Sequence, residues 1–310
     1  YVEQDFMIAE GLAVFLLAVA WDILLGEPPA RIHPVVWIGK LIAFLRARAR
    51  PSRAYGIALA AIVIVCTVLV GHMLVMAAGY VPLLPLIVSA FLFKSTFAIN
   101  CLLQVSRDIG QMIDCDMDEA KSMLPALVGR DTSHLSKSQA ASAVIESLSE
   151  NYVDSILSPF FYYLLFSPLG LGLEAALAFK AVSTMDSMVG YKTKGLKEIG
   201  FAGARLDDVL NFIPARLSIF LISLASPAHA QVALRAAFRY HAKTPSPNSG
   251  WPMAAFAGSL SIRLEKPGYY VLYDEGQQPQ TSDVPRAVGL MQAVIAITIA
   301  VALAVMFFIP

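Results

Sequence analysis

Residues 7–25, 55–78, 81–101 and 288–309 are each apolar over about the 20 residues that a helix needs to cross a hydrocarbon layer roughly 30 Å thick. Helix is the structure such segments must adopt, because a backbone without water has to satisfy its own N–H and C=O groups. Across 310 residues, 57% are hydrophobic and only 15% charged, with a mean hydropathy of +0.64. A soluble globular chain carries roughly 25% charged residues. The expected fold class is all-α: a polytopic helical membrane protein with short or broken membrane helices and a helical cytoplasmic insert.

Only Gly79 and Tyr80 separate the second apolar segment from the third, and Pro82 follows, which predicts a tight antiparallel hairpin. Residues 152–185 are apolar but interrupted by Ser167-Pro168-Leu169-Gly170. The two pieces are each too short for a full crossing, so a hairpin of short or re-entrant helices is expected, suited to a cavity wall. Residues 209–225 form a further apolar helix with Pro214 near its start and Pro227 beyond its end; it either crosses or only dips. If it crosses, residues 246–252 fall on the far face from the other motifs.

The insert, residues 102–149, is expected to be amphipathic helices over 104–115, 118–127 with Asp116 as N-cap, and 137–149, with a turn at 129–133. Residues 239–286 are rich in Pro, Gly, Ser and Asn and are expected to be mostly loop. Residues 1–6, ahead of Met7, read as a cloning remnant outside the fold, and 7–310 as a single membrane domain. No Lys or Arg precedes Arg31, so 7–25 is taken as a retained first span and not as a signal peptide. The loop after it holds Arg31, Lys40, Arg46, Arg48, Arg50 and Arg53 against Glu27 alone. By the positive-inside rule that loop is cytoplasmic, giving a multi-pass protein of the cell inner membrane whose site faces the cytoplasm.

Net charge is zero and the pI about 7.1, and no basic stripe with interleaved aromatics occurs, which argues against a nucleic-acid partner. Cys66, Cys101 and Cys115 lie far apart, and His33, His72, His134, His229 and His241 are scattered without zinc spacing, so neither zinc nor haem is expected. Walker and GxGxxG patterns are missing, so a nucleotide would need an unconventional site.

Ionisable groups crowd residues 146–216, where apolar sequence makes them costly unless paired or hydrated. Glu146, Glu150 and Asp154 recur at i, i+4 and i+8, along one helical face. Such a row suits a divalent cation or a basic group, and hard oxygen ligands beside phosphate suit Mg²⁺; a solvated helix face is the alternative. Asn151 lies within the same run. Asp186 precedes Tyr191 and Lys192, and Asp207, Asp208 and Asn211 sit at an expected helix start, where acids also serve as caps and dipole partners. Arg205 and Arg216 bracket them as candidate phosphate or carboxylate forks. Upstream, Glu27, Arg31 and His33 lie in a proline-stiffened stretch where the first span ends, and Asp22 inside that span calls for a partner. Ser246 and Asn248 lie in a rigid loop able to present hydroxyl and amide groups.

Six blocks in order make the chain resemble the adenosylcobinamide-phosphate synthase family: GEPPxRxHPVVWxG at 26–39, GRDT at 129–132, ESxxENxVD at 146–154, MDSMVGYK at 185–192, ARLDDVxNxIPAR at 204–216 and SPNSGWP at 246–252. The resemblance covers residues 7–286. Ser183 replaces a usual Asn, Thr244 a frequent His, and Met253 a frequent acid, so no role for a histidine of the last block carries over. The resemblance implies ATP-dependent amide ligation of adenosylcobyric acid to 1-aminopropan-2-ol phosphate, with Mg²⁺, in the lipid bilayer and beside other cobalamin-assembly membrane enzymes. It implies catalytic roles for Glu27, His33, Glu150, Asn151, Asp186 and Asn211. Substrate or phosphate contacts fall to Arg31, Tyr191, Lys192, Arg205, Arg216, Ser246 and Asn248, and metal contacts to Asp154, Asp207 and Asp208. A transporter, or a non-enzymatic membrane sensor related to the same family, is the alternative.

Overall fold

The computed structural model describes residues 2–190 and 196–308, with side chains from Ala9 onward. In chain order its elements are α1 Val2–Leu25, α2 Pro34–Ala47, α3 Arg53–Ala78, α4 Leu84–Lys94, α5 Ile99–Cys115, α6 Met117–Met123, α7 Lys137–Tyr152, α8 Ser158–Phe166, α9 Gly172–Val189, α10 Phe201–Leu210, α11 Phe212–Ala225, α12 Ala230–Tyr240, α13 Gly250–Leu260, β1 Leu264–Lys266, β2 Tyr270–Leu272 and α14 Asp283–Phe308. The chain is thus helical apart from one small hairpin. Three helical stretches among the described residues, Arg53–Ala78, Leu84–Cys115 and Asp283–Phe308, are long and apolar enough to cross a membrane; a fourth is reached if α10 and α11 count as one span. On α3 the residues Ile62, Val65, Leu69 and Met73 are exposed, an outward apolar surface that suits lipid and not water.

Contacts group the chain into two compact units. The first contains α1–α4, α8–α10 and the last turns of α14; the second contains α5–α7, α11–α13, the hairpin and most of α14.

In the first unit an aromatic cluster joins α1, α4 and α8: Phe15 meets Phe160 at 4.9 Å and Phe93 stacks on Tyr163 at 4.0 Å. A second cluster, including Ile42, Val63 and Met185, packs α2, α3 and α9. The expected hairpin around Ser167 is present: α8 ends, a 3₁₀ turn covers Ser167–Leu169, Gly170 takes φ 69°, and α9 returns along α8. Only a residue without a side chain takes that backbone conformation cheaply.

In the second unit α7 starts with a capping box in which Ser136 and Gln139 exchange side-chain and backbone bonds. Asp116 caps α6 as expected, accepting from the N–H groups of Asp118 and Glu119. The tail of α7 passes into a π-helical turn, Val153–Leu157. Tyr152 and Thr298, both buried, are linked at 2.6 Å and tie α7 to α14.

Residues 239–286 depart from the loop expectation. They contain α13, every residue of which is buried, and the β1–β2 hairpin. The reason is packing: α13 lies against α12, α11 and α7, where Gly258 lets it approach Ala236 closely. Small residues that weaken a solvent-exposed helix here permit a central one. The question of where residues 246–252 lie is also answered within this unit. After α11 the chain turns at Pro227–His229 and α12 packs back along it, so Asn248 returns to Arg216 near the start of α11.

Candidate functional site

The candidate residues form four groups, two in each unit. The first group sits where α1 ends. Gly26, at φ 70°, turns the chain out of the helix, and its N–H donates to the Asp22 carbonyl. Lys94, fully buried, extends Nζ to Asp22 Oδ1 at 2.7 Å, to Glu27 Oε1 at 2.8 Å and to the Phe97 carbonyl at 3.2 Å. His33 caps α2: its Nδ1 accepts the Val35 N–H at 3.2 Å, so the ring proton is on Nε2, which donates to Glu27 Oε2 at 3.0 Å. Burial is the largest single influence on the Glu27 carboxyl and would raise it. Bonds from His33 and Lys94, with the Lys94 charge, outweigh burial and hold it below its ordinary value. Arg31 is exposed, and its carbonyl accepts the Trp37 indole N–H at 3.1 Å. The group is a clamp fixing the Glu27–His33 stretch to α4.

In the second group, Asp186 near the end of α9 and Asp208 on α10 are close enough for their carboxylates to repel, and Asp207 acts in the same way on the Tyr162 hydroxyl. Arg205 pairs with Asp208 at 3.6 Å. Glycines bring the two helices together: a Cβ on Gly203 would lie 3.2 Å from that of Met185, and one on Gly200, just before α10, only 1.9 Å from the Val189 carbonyl oxygen. Asp207 and Asp208 are not at a helix start. They occupy the last turn of α10, the negative end of the helix dipole, where an acid is disfavoured by about 0.3–1 kcal/mol. Capping and dipole complementarity therefore do not explain them. Tyr191 and Lys192 lie outside the described residues.

The third group, in the second unit, does not form a row of three equivalent carboxylates. Glu146 is buried and committed: Oε1 accepts from Arg130 Nη2 at 3.1 Å and Ser142 Oγ at 2.8 Å, and Oε2 from Tyr270 OH at 2.7 Å. Burial pushes the Glu146 carboxyl up against these donors and the Arg130 charge. Glu150 is near enough to act electrostatically on Tyr270, while Asn151 donates to the Ser147 carbonyl and hydroxyl. Asp154 lies inside the π turn, whose i→i+5 bonding removes it from the straight α-helical register; such turns are frequent at functional positions.

The fourth group packs beside the third, because the π turn contacts α11. Asn211, buried, precedes α11. Arg216 donates to Asn248 Oδ1 at 3.2 Å and to the Phe212 carbonyl at 2.7 Å, and its guanidinium lies 5.0 Å from the Trp251 ring. Ser246 is engaged locally, accepting from the N–H groups of Asn248 and Ser249. His241 stacks on Trp251 at 3.8 Å. Its Nδ1 faces the Ala237 and Phe238 carbonyls, which leaves Nε2 as the acceptor nitrogen.

Several of these residues were missed by sequence reasoning. Lys94 was detectable as a lone lysine inside an apolar stretch, and Arg130 lay in a quoted block without a role. Trp251 likewise lay in a quoted block without a role, while Tyr162 and Tyr270 carried no signal of their own, because their positions depend on packing. Among the described residues no three His, Cys, Asp or Glu side chains converge as a metal cage. Mg²⁺ does not require one: it is held by one or two carboxylates together with substrate phosphates and water, which the Asp186–Asp208 pair can supply.

A family profile described as CobD/Cbib protein matches residues 15–304. The probable cobalamin biosynthesis protein CobD of Methanothrix thermoacetophila is 54% identical over 289 residues, covering 90% of this chain and 92% of that one. The cobalamin biosynthesis proteins CobD of Dehalococcoides mccartyi, 39% identical with 86% and 88% covered, and of Klebsiella pneumoniae, 36% identical with 94% and 96% covered, are similar along nearly their whole length. No solved structure matches the chain.

Proposed function

Since the chain belongs to the CobD/Cbib family, we propose that it catalyses ATP-dependent amide formation between adenosylcobyric acid and 1-aminopropan-2-ol phosphate, giving adenosylcobinamide phosphate. The coarser role, in cobalamin biosynthesis, is the one its relatives carry in their names. One observation supports the finer reading most. Asp186, Asp207, Asp208 and Arg205 are gathered where two helices meet, with the two α10 acids on the unfavourable end of the dipole. Acids retained against a local cost, next to an arginine, suit a site for a polyphosphate and a cation.

In the proposed chemistry a propionate oxygen attacks the γ-phosphorus of ATP and ADP leaves. The substrate amine then attacks the acyl carbon, inorganic phosphate leaves, and one proton is released from nitrogen. Asp186 and Asp208 are the residues suited to Mg²⁺, which when bound supplies charge neutralisation for the phosphates. Arg205, paired with Asp208, is suited to orienting phosphate oxygens there; in the second unit Arg216, held by Asn248, is a separate candidate anion contact. Within the second unit Glu150, which acts electrostatically on Tyr270, is the candidate general base. The Glu27–His33 clamp positions the stretch carrying Arg31. The proposed location is the cell inner membrane with this chemistry on the cytoplasmic side.

Purified protein given ATP, Mg²⁺, adenosylcobyric acid and aminopropanol phosphate is expected to form the amide and release phosphate only when all components are present. Asp208→Asn is expected to lower turnover by about 100-fold or more while the fold persists. Corrinoid binding without product would instead favour transport or sensing.

A further inference from the structure

Arg130 departs from the usual behaviour of a buried guanidinium. Its side chain is only 10% exposed, and one nitrogen, Nη2, is bonded to Glu146. The other two, Nε and Nη1, are buried and have no acceptor among the described residues. Buried polar groups in folded proteins are nearly always satisfied, and an unmet donor on a charged group is among the costliest to keep. Glu146 cannot turn to meet them, since Ser142 and Tyr270 already donate to its two oxygens. Ser142 is itself held by β1, accepting the Glu265 N–H at 2.8 Å, so the arrangement cannot relax locally. Donors therefore exceed acceptors around a full positive charge.

We propose that Arg130 anchors an oxyanion subsite beside α7, taking a phosphate group through Nε–H and Nη1–H while Glu146 holds Nη2 and so fixes the plane of the fork. A buried guanidinium held on one side by a carboxylate, with two unmet donors on the other, is preorganised for a phosphate, which offers several strong acceptors in different directions. The inference stands on the second unit's geometry and not on the ligation reading.

The test titrates inorganic phosphate, against acetate at equal ionic strength, into the full chain in detergent without nucleotide or corrinoid, reading binding by calorimetry. Either claim can then fail alone. Arg130→Lys keeps a cation for Glu146 but loses the diverging donors, and is expected to weaken phosphate binding at least about tenfold. Arg107→Gln, an exposed arginine of the same unit, should change it less than about twofold. Undiminished binding in Arg130→Lys, no binding by the parent chain, or equal binding of acetate would overturn the proposal. Should Arg130→Lys fail to fold, a structure of the parent chain in phosphate decides: an anion against Nε or Nη1 supports the subsite, and ordered water alone refutes it.

Discussion

Lys94→Met tests the buried clamp at the end of α1. The substitution keeps most of the side-chain volume, so packing against Phe97 changes little and the charge is what is lost. Lys94 and Asp22 are both fully buried, and their 2.7 Å contact is the one with no solvent to replace it. Losing a charge-assisted bond at such a place costs about 3 kcal/mol. Glu27, 30% exposed and still bonded to His33, loses less, about 1 kcal/mol after screening. A total of about 3–5 kcal/mol is expected, the range for removing one partner of a buried ion pair. Asp22→Leu should cost a comparable amount because it leaves the fully buried Lys94 with the partly exposed Glu27 as its counter-charge. The double variant should recover most of the loss, since an apolar pair in place of a buried ion pair is often neutral. The assay is reversible unfolding in mixed micelles for all four members of the cycle. A single variant within about 1 kcal/mol of the parent, or a double variant worse than either single, would refute the reasoning.

Three further outcomes follow from local geometry. Gly200→Ala puts a methyl group 1.9 Å from the Val189 carbonyl oxygen, a backbone atom that cannot yield, and is expected to cost about 1–3 kcal/mol or more by thermal unfolding and to disturb Asp186 nearby. For Glu27, a carboxyl held below its ordinary value of 4.5, the stabilisation is present above that pH and lost as pH falls through the lower folded value; Glu27→Gln should lack this part of the acid-induced fall in unfolding midpoint. Ser136→Ala removes one half of a capping box and is expected to cost about 0.5–2 kcal/mol, seen as faster amide exchange in the first turn of α7.

Helical class was legible because it depends on runs of apolar residues and on backbone chemistry alone. The same holds for the break at Ser167–Gly170 and for the cap at Asp116, which are short-range devices read from neighbouring residues. The reading failed where distant residues decide. Asp207 and Asp208 looked like a helix start because Asn211 and Pro214 follow, yet the chain breaks at Asn211 and leaves them at a helix end. Residues 250–260 looked like loop because the Gly, Pro, Ser and Asn around them lower intrinsic helix stability, while burial on all sides offsets that cost.

By itself, then, the sequence determined that this chain is helical, with several apolar stretches of membrane length and charges concentrated in a few motifs, since hydropathy and local capping need no partner. Tertiary structure decided which charges are spent on bonds between elements and which sit at a local cost. Glu146, Lys94 and His33 are consumed by bonds to residues far along the chain or in the next turn, whereas Asp208 stands against its own helix dipole. That division rests on low-dielectric pairing between elements remote in sequence, a property of contacts and not of spacing.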